Sequence, residues 1–147
     1  MAEDRFDLNR FVVEHEKTYL TAYQEVSKGK KRSHWMWWIF PQIMGLGMTY
    51  TAKQYSIKSL EEAKAFAAHE YLGKNLKEIS EVLLTLDTDD PHKVFSSPDD
   101  LKLRSSMTLF AEAVPEEEVF QNVLDKFYEG KKDGKTLVIL KQLKDKA

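Results

Sequence analysis

Cysteine is missing from all 147 residues. Its absence excludes disulfides, thiolate nucleophiles and cysteine-ligated zinc, and it fits a reducing cytoplasm. No apolar run approaches the length of a membrane span. The start, Met1-Ala2-Glu3-Asp4-Arg5, leads into no apolar signal region, so the expected location is cytoplasmic. A large excess of one charge is lacking too: 22 Lys and Arg stand against 24 Asp and Glu, a formal net charge of −2. That argues against a general nucleic-acid or membrane-surface binder and leaves room for a local anion-binding patch. Repeats, linkers and low-complexity tracts are absent. Sustained period-two alternation is absent as well, with Leu137-Val138-Ile139-Leu140 the one ambiguous run.

What remains is 42% hydrophobic and 31% charged, an ordinary composition for one domain spanning residues 1–147. The periodicity is helical. Leu8, Phe11, Val12, His15, Tyr19, Ala22, Tyr23 and Val26 share one face, with Asp7 as the expected cap and Lys28-Gly29 as the end. His15, on that apolar face, reads as a hydrogen-bonded core-edge histidine rather than a catalyst. Thr51 to Tyr55 reads as a short helix. Ser59-Leu60-Glu61-Glu62 is a capping-box pattern opening a helix through Ala68. Leu72, Leu76, Ile79, Leu83 and Leu86 mark the next helix, and Pro91 suits the first position of a short turn. Ser97-Pro98-Asp99-Asp100 predicts a helix start with Ser97 as cap. Leu103, Met107, Phe110 and Val114 form that helix's main apolar face. Leu101 and Leu109 lie off it, which points to an interior helix. Val119 to Tyr128 and Leu137 to Leu143 supply the last two, the final one capped by Asp133. The expected fold is all-α, a single compact domain of about seven or eight helices, with Trp35, Phe40, Leu103, Met107 and Phe110 inside.

The chain is organised around Lys28 to Gln42, where four cations run into an apolar block holding all 3 tryptophans. Ser33 is the expected cap of a short helix ending before Pro41. Cations just before a helix N-terminus oppose its dipole and call for an answering anion. Two readings stay open. One is a solvated basic loop with a carboxylate such as Glu25 nearby. The other is an anion site built from free backbone N–H groups, Arg32 and His34.

Familiar catalytic patterns fail. Gly130-Lys131-Lys132-Asp133-Gly134-Lys135-Thr136 resembles a phosphate loop but is too short in its spacing and follows a helix, not a strand. Asp87, Asp89, Asp90 and His92 invite a metal reading, but Pro91 and His92 stand where a calcium loop needs oxygen ligands and glycine. A capped turn is the better account, and no metal or cofactor is expected. There is no G-x-S-x-G elbow and no H-E-x-x-H.

Two patches survive: Arg32, His34, Trp35 and Trp37, with Gln42 shortly after; and Lys102, Arg104 and Ser105, with Ser106 and Thr108. Arg and Lys suit a phosphate and tryptophan suits a ring, so together they fit a phosphorylated or nucleotide-like small molecule. The opposing account pairs the cations with helix carboxylates and puts the tryptophans in the core. Neither patch can satisfy its polar groups alone, so the two are expected to meet. A hydrolase, for example an N-glycosidase, would need His34 or a carboxylate such as Asp100 near the reacting carbon. A non-enzymatic module whose Trp-rich patch receives a partner is the alternative.

Ser33-His34-Trp35-Met36-Trp37 with Ile39-Phe40-Pro41-Gln42, then Ser97-Pro98-Asp99-Asp100 through Leu109-Phe110, closely resemble the signature stretches of the domain-of-unknown-function family 1810. The resemblance runs from Asp7-Leu8-Asn9-Arg10-Phe11 to Thr136-Leu137. Glu70 departs from it, where relatives often carry proline. The resemblance implies a mainly helical single-domain fold and brings no activity with it. It marks Arg32, His34, Trp35, Trp37, Gln42, Lys102, Arg104 and Ser105 as signature positions. A fainter likeness to the NADAR family, helical proteins tied to NAD and ADP-ribose chemistry, turns the expected ligand toward ADP-ribose-like molecules.

Overall fold

A computed structural model describes residues 4–146. Met1-Ala2-Glu3, part of the amino-terminal stretch read for a signal region, lie outside the described residues. Nine helices form the described chain, in the order α1 (Asn9–Ser27), α2 (Met36–Ile39), α3 (Tyr50–Gln54), α4 (Leu60–Ala68), α5 (Leu72–Thr85), α6 (Pro91–Phe95), α7 (Asp99–Ala113), α8 (Glu118–Tyr128) and α9 (Gly134–Lys146). The all-α expectation holds. The helix count rises by one because the turn at Pro91 is itself helical, with Asp90 accepting from the His92 N–H. The only β-type pairing among the described residues is an isolated bridge between Ile43 and Ile57.

The interior helix is α7. It packs against α4, α6, α8 and α9, and α5 completes the bundle against α1, α4 and α8. Leu103 and every residue from Ser105 to Ala111 are buried, while Leu101 is exposed. Trp35, Phe40, Leu103, Met107 and Phe110 are all buried, as expected. Phe110 bridges two neighbours, its ring centroid 5.5 Å from Phe66 on α4 and 5.6 Å from Phe120 on α8.

Several ends follow the local rules. Gly29, at φ +74°, closes α1: its N–H reaches Val26 O at 2.9 Å and the Lys30 N–H reaches Glu25 O at 3.0 Å. That pair of bonds is a Schellman closure, and the left-handed position favours glycine. Ser59 caps α4 by accepting from the Glu62 N–H at 3.0 Å. Asp133 caps α9 by accepting from the Thr136 N–H at 3.1 Å. Gly73 lies so near the end of α4 that a Cβ there would meet Ala67 O at 2.0 Å.

Three expected caps are corrected. Asp7 does not cap α1; Asp4 does, accepting from the Leu8 and Asn9 N–H groups at 2.6 and 2.9 Å. Ser33 does not cap α2, because its hydroxyl donates to Glu25 on α1 at 2.6 Å. Ser97 does not cap α7, which begins after Pro98 without a side-chain cap. At Ser33 a distant carboxylate competes for the local hydrogen bond, and at Asp7 the backbone stands at φ 52°.

Candidate functional site

The loop between α1 and α2 explains how the basic run is tolerated. Glu25, near the end of α1, accepts from the Arg32 N–H at 2.8 Å, the Ser33 N–H at 2.9 Å, the Ser33 hydroxyl and Trp35 Nε1 at 2.9 Å. Desolvation raises a carboxyl pKa, but here the hydrogen bonds from Ser33, Arg32 and Trp35 outweigh it and bring Glu25 down to about 2. The backbone donors proposed for an outside anion are therefore filled by an internal carboxylate. Of the two readings of this loop, the one with Glu25 is what the structure contains.

Lys31, in the same loop, has a side chain only 8% exposed. Its ammonium lies 2.8 Å from Asp99 at the start of α7 and 5.0 Å from the centre of the Trp35 ring. Asp99 also faces Lys102 at 3.5 Å. Lys102 in turn lies 5.4 Å from the centre of the Trp37 ring. The order Trp35, Lys31, Asp99, Lys102, Trp37 thus joins the two signature segments through alternating cation–π contacts and ion pairs. One carboxylate serves two ammonium groups, and the buried lysine has the shorter contact.

Beside Trp37 and Lys102 opens a cleft of about 340 Å³. Its walls are Trp37, Gln42, Ile43 and Leu46 on one side, Tyr55 and Ser56 after α3, and Leu101, Lys102 and Ser105 on α7. The volume lies at the lower end of the range for small-molecule sites, about 300–1,000 Å³. Lys102 is the one cation among the lining residues, and no carboxylate or imidazole lines the cleft among the described residues.

The eight signature positions divide evenly. Trp37, Gln42, Lys102 and Ser105 come together in the cleft. Trp35 is fully buried, with its indole N–H on Glu25. Arg32 and His34 are exposed and line no part of the cleft. Arg104 directs Nε to Lys131 O at 2.9 Å and Nη2 to Lys132 O at 2.8 Å. Its neighbours serve the same loop: Thr108 Oγ1 accepts from the Asp133 N–H at 2.9 Å and Ser105 Oγ donates to Asp133 at 3.2 Å. The stretch that resembled a phosphate loop is therefore the α8–α9 turn, held against α7. Asp100 lies in another small cluster, its carboxylate 3.6 Å from exposed His92.

Sequence reasoning passed over the residue that braces the far wall. Arg10 on α1 donates to Gln54 O and Ser56 O, both at 2.9 Å, and to Glu62 at 2.7 Å. The two carbonyls bracket Tyr55. The same guanidinium also takes Phe6 O and Asp7 O. Glu62 holds the Lys58 N–H at 2.9 Å, and Ile57 exchanges bonds of 2.8 Å with Gln42 O and the Met44 N–H. Arg10 stood in the sequence as one cation of an amphipathic helix, and no local spacing reveals acceptors more than forty residues away. His15 is buried, with Nε2 2.8 Å from Trp38 O and Nδ1 3.1 Å from Asn75 Nδ2. Burial is the main reason its pKa falls to about 4, and the expectation of a hydrogen-bonded histidine at the core holds.

A family model described as Protein of unknown function (DUF1810) matches residues 5–140. The crystal structure of the conserved hypothetical protein Rv1873 from Mycobacterium tuberculosis matches with a TM-score of 0.92 and 43% sequence identity, covering 94% of this chain and 99% of that one. No curated protein matches the chain. No helix among the described residues is long and apolar enough to cross a membrane.

Proposed function

The chain belongs to the DUF1810 family, and we propose that it binds a phosphorylated or nucleotide-like small molecule in the cleft between Trp37 and Lys102. The observation that carries this reading is the shared carboxylate. Asp99 holds buried Lys31 at 2.8 Å and Lys102 at only 3.5 Å, so one cation at the cleft is under-neutralised. An incoming anion replaces a long contact rather than a short one. Trp37 supplies an indole beside that cation, and Gln42 and Ser105 supply neutral polar groups. Charge-assisted hydrogen bonds to a phosphate are the strong class of such contacts. With no carboxylate or imidazole in the lining among the described residues, the proposed role is binding without a reaction.

Calorimetry tests it. Titration with adenosine 5′-monophosphate, cytidine 5′-monophosphate and inorganic phosphate should give saturable binding for at least one nucleotide. Lys102→Met should weaken it while the circular dichroism spectrum stays helical. Absence of heat with every probe rejects the proposal.

The rim favours a second reading. Met48 and Leu101, which line the cleft, are exposed by 77 and 59%. Apolar side chains so placed suit a protein partner whose side chain enters the cleft. In that case Met48→Asp and Leu101→Asp abolish partner binding, and the nucleotides give no signal.

A further inference from the structure

We infer that the occupant of this cleft carries a single phosphoryl group: a nucleoside monophosphate or an aryl monophosphate of that size, not a diphosphate-bridged molecule such as ADP-ribose. The inference rests on the binding reading above and narrows it.

Two independent observations support it. The first is charge. A diphosphate brings a second anionic group that needs its own donors. Lys102 is the only cationic side chain in the lining among the described residues. The other cations of the signature are engaged or turned away. Lys31 is buried on Asp99. Arg104 has Nε on Lys131 O and Nη2 on Lys132 O. The backbone donors of the α1–α2 loop are held by Glu25. Asp99, 3.5 Å from Lys102, would repel a second phosphoryl group placed beside the first.

The second is space. The cleft measures about 340 Å³, and sites for drug-sized ligands extend to about 1,000 Å³. Its inner wall is fixed rather than adaptable, since the Arg10 guanidinium pins the carbonyls on either side of Tyr55. A single nucleoside or aryl group with one phosphoryl group fits that enclosure. The second phosphoryl group and distal ribose of ADP-ribose would exceed that space and gain little for the entropy of holding them.

The test is a calorimetric series at fixed low salt with adenosine, adenosine 5′-monophosphate, cytidine 5′-monophosphate, adenosine 5′-diphosphate, ADP-ribose and inorganic phosphate. The expected order places a monophosphate tightest, with the diphosphate and ADP-ribose about tenfold weaker. Loss of one charge-assisted hydrogen bond, as in Lys102→Met or in adenosine without its phosphate, should also cost about tenfold or more. Lys102→Arg should keep most of the affinity, which separates loss of charge from loss of fold. Diphosphate or ADP-ribose binding as tightly as a monophosphate overturns this inference and leaves the binding reading standing. Adenosine binding as tightly as its monophosphate, or no binding by any member of the series, overturns both.

Discussion

Acidification from about pH 7.5 to about pH 4.5 should remove about 2–3 kcal/mol of stability through His15 alone. The imidazole is buried, and its pKa falls from 6.5 to about 4. Burial is the largest cause; the Trp38 carbonyl opposes it and His69 adds to it. The geometry shows why a second proton is unwelcome. Nε2 is matched by the Trp38 carbonyl at 2.8 Å, and Nδ1 faces the Asn75 amide nitrogen, a donor, at 3.1 Å. The sign follows from linkage. Between 6.5 and about 4 the unfolded chain holds a proton that the native chain refuses, so falling pH favours unfolding. The contribution is complete above 6.5, and nothing further is lost below about 4. Each pH unit inside the window is worth about 1.4 kcal/mol. Two such units, rounded off at the acid end, give the figure stated.

The assay is urea unfolding of wild type and His15→Gln at about pH 7.5, 6 and 4.5. Glutamine keeps one donor and one acceptor and does not titrate. At pH 7.5 the variant should be less stable by about 1 kcal/mol, a common cost for one buried change. The gap should close and reverse as pH falls, because the wild type loses about 2–3 kcal/mol that the variant does not. Parallel losses in the two proteins would refute the claim that His15 folds neutral.

Glu25 acts in the next window down. Its depressed pKa means that its contribution is present above 4.5 and is lost as pH falls toward 2. Glu25→Ala should cost about 1–3 kcal/mol at neutral pH by stranding its donors, and added formate should restore part of the melting temperature by refilling the site. Arg10→Ala should be the most damaging of these changes, about 3–5 kcal/mol in chemical unfolding, because it leaves the 2%-exposed Glu62 side chain unpaired. Arg104→Ala should lower stability by about 1–3 kcal/mol, and hydrogen exchange should quicken at the Asp133 N–H as the α8–α9 turn loosens. Unchanged exchange there would mean that Arg104 does not hold the turn.

The helices were legible where the signal is local. Apolar spacing located α1, α5 and α8, and Ser59, Gly29, Pro91 and Asp133 act where the rules of helix ends place them. The misplaced caps have separate causes. Asp4 and Asp7 are equivalent in sequence until the backbone around Asp7 takes φ 52°, and Ser33 is diverted by a carboxylate eight residues earlier. The polar network at the cleft was legible only in outline. Two patches that could not satisfy themselves do meet, but the residues that join them are Lys31, Asp99, Lys102 and Trp37, and neither Arg32 nor His34 lines the cleft. Nothing in a basic run says which of its cations the fold will bury.

Lys31 and Lys102 show what decides that question. Both are lysines beside a tryptophan, and both share Asp99, yet their side chains are 8% and 29% exposed. A buried ammonium needs a close partner, since an unpaired buried charge is costly. Lys31 therefore holds Asp99 at 2.8 Å and cannot release it cheaply. Lys102 remains partly solvated, so water can satisfy it when its 3.5 Å contact opens. The same carboxylate thus makes a short, sheltered contact to one signature segment and a longer, partly solvated one to the other. Under the proposed binding reading, that asymmetry puts the exchangeable charge beside the cleft, while the short Lys31–Asp99 pair ties the α1–α2 loop to α7.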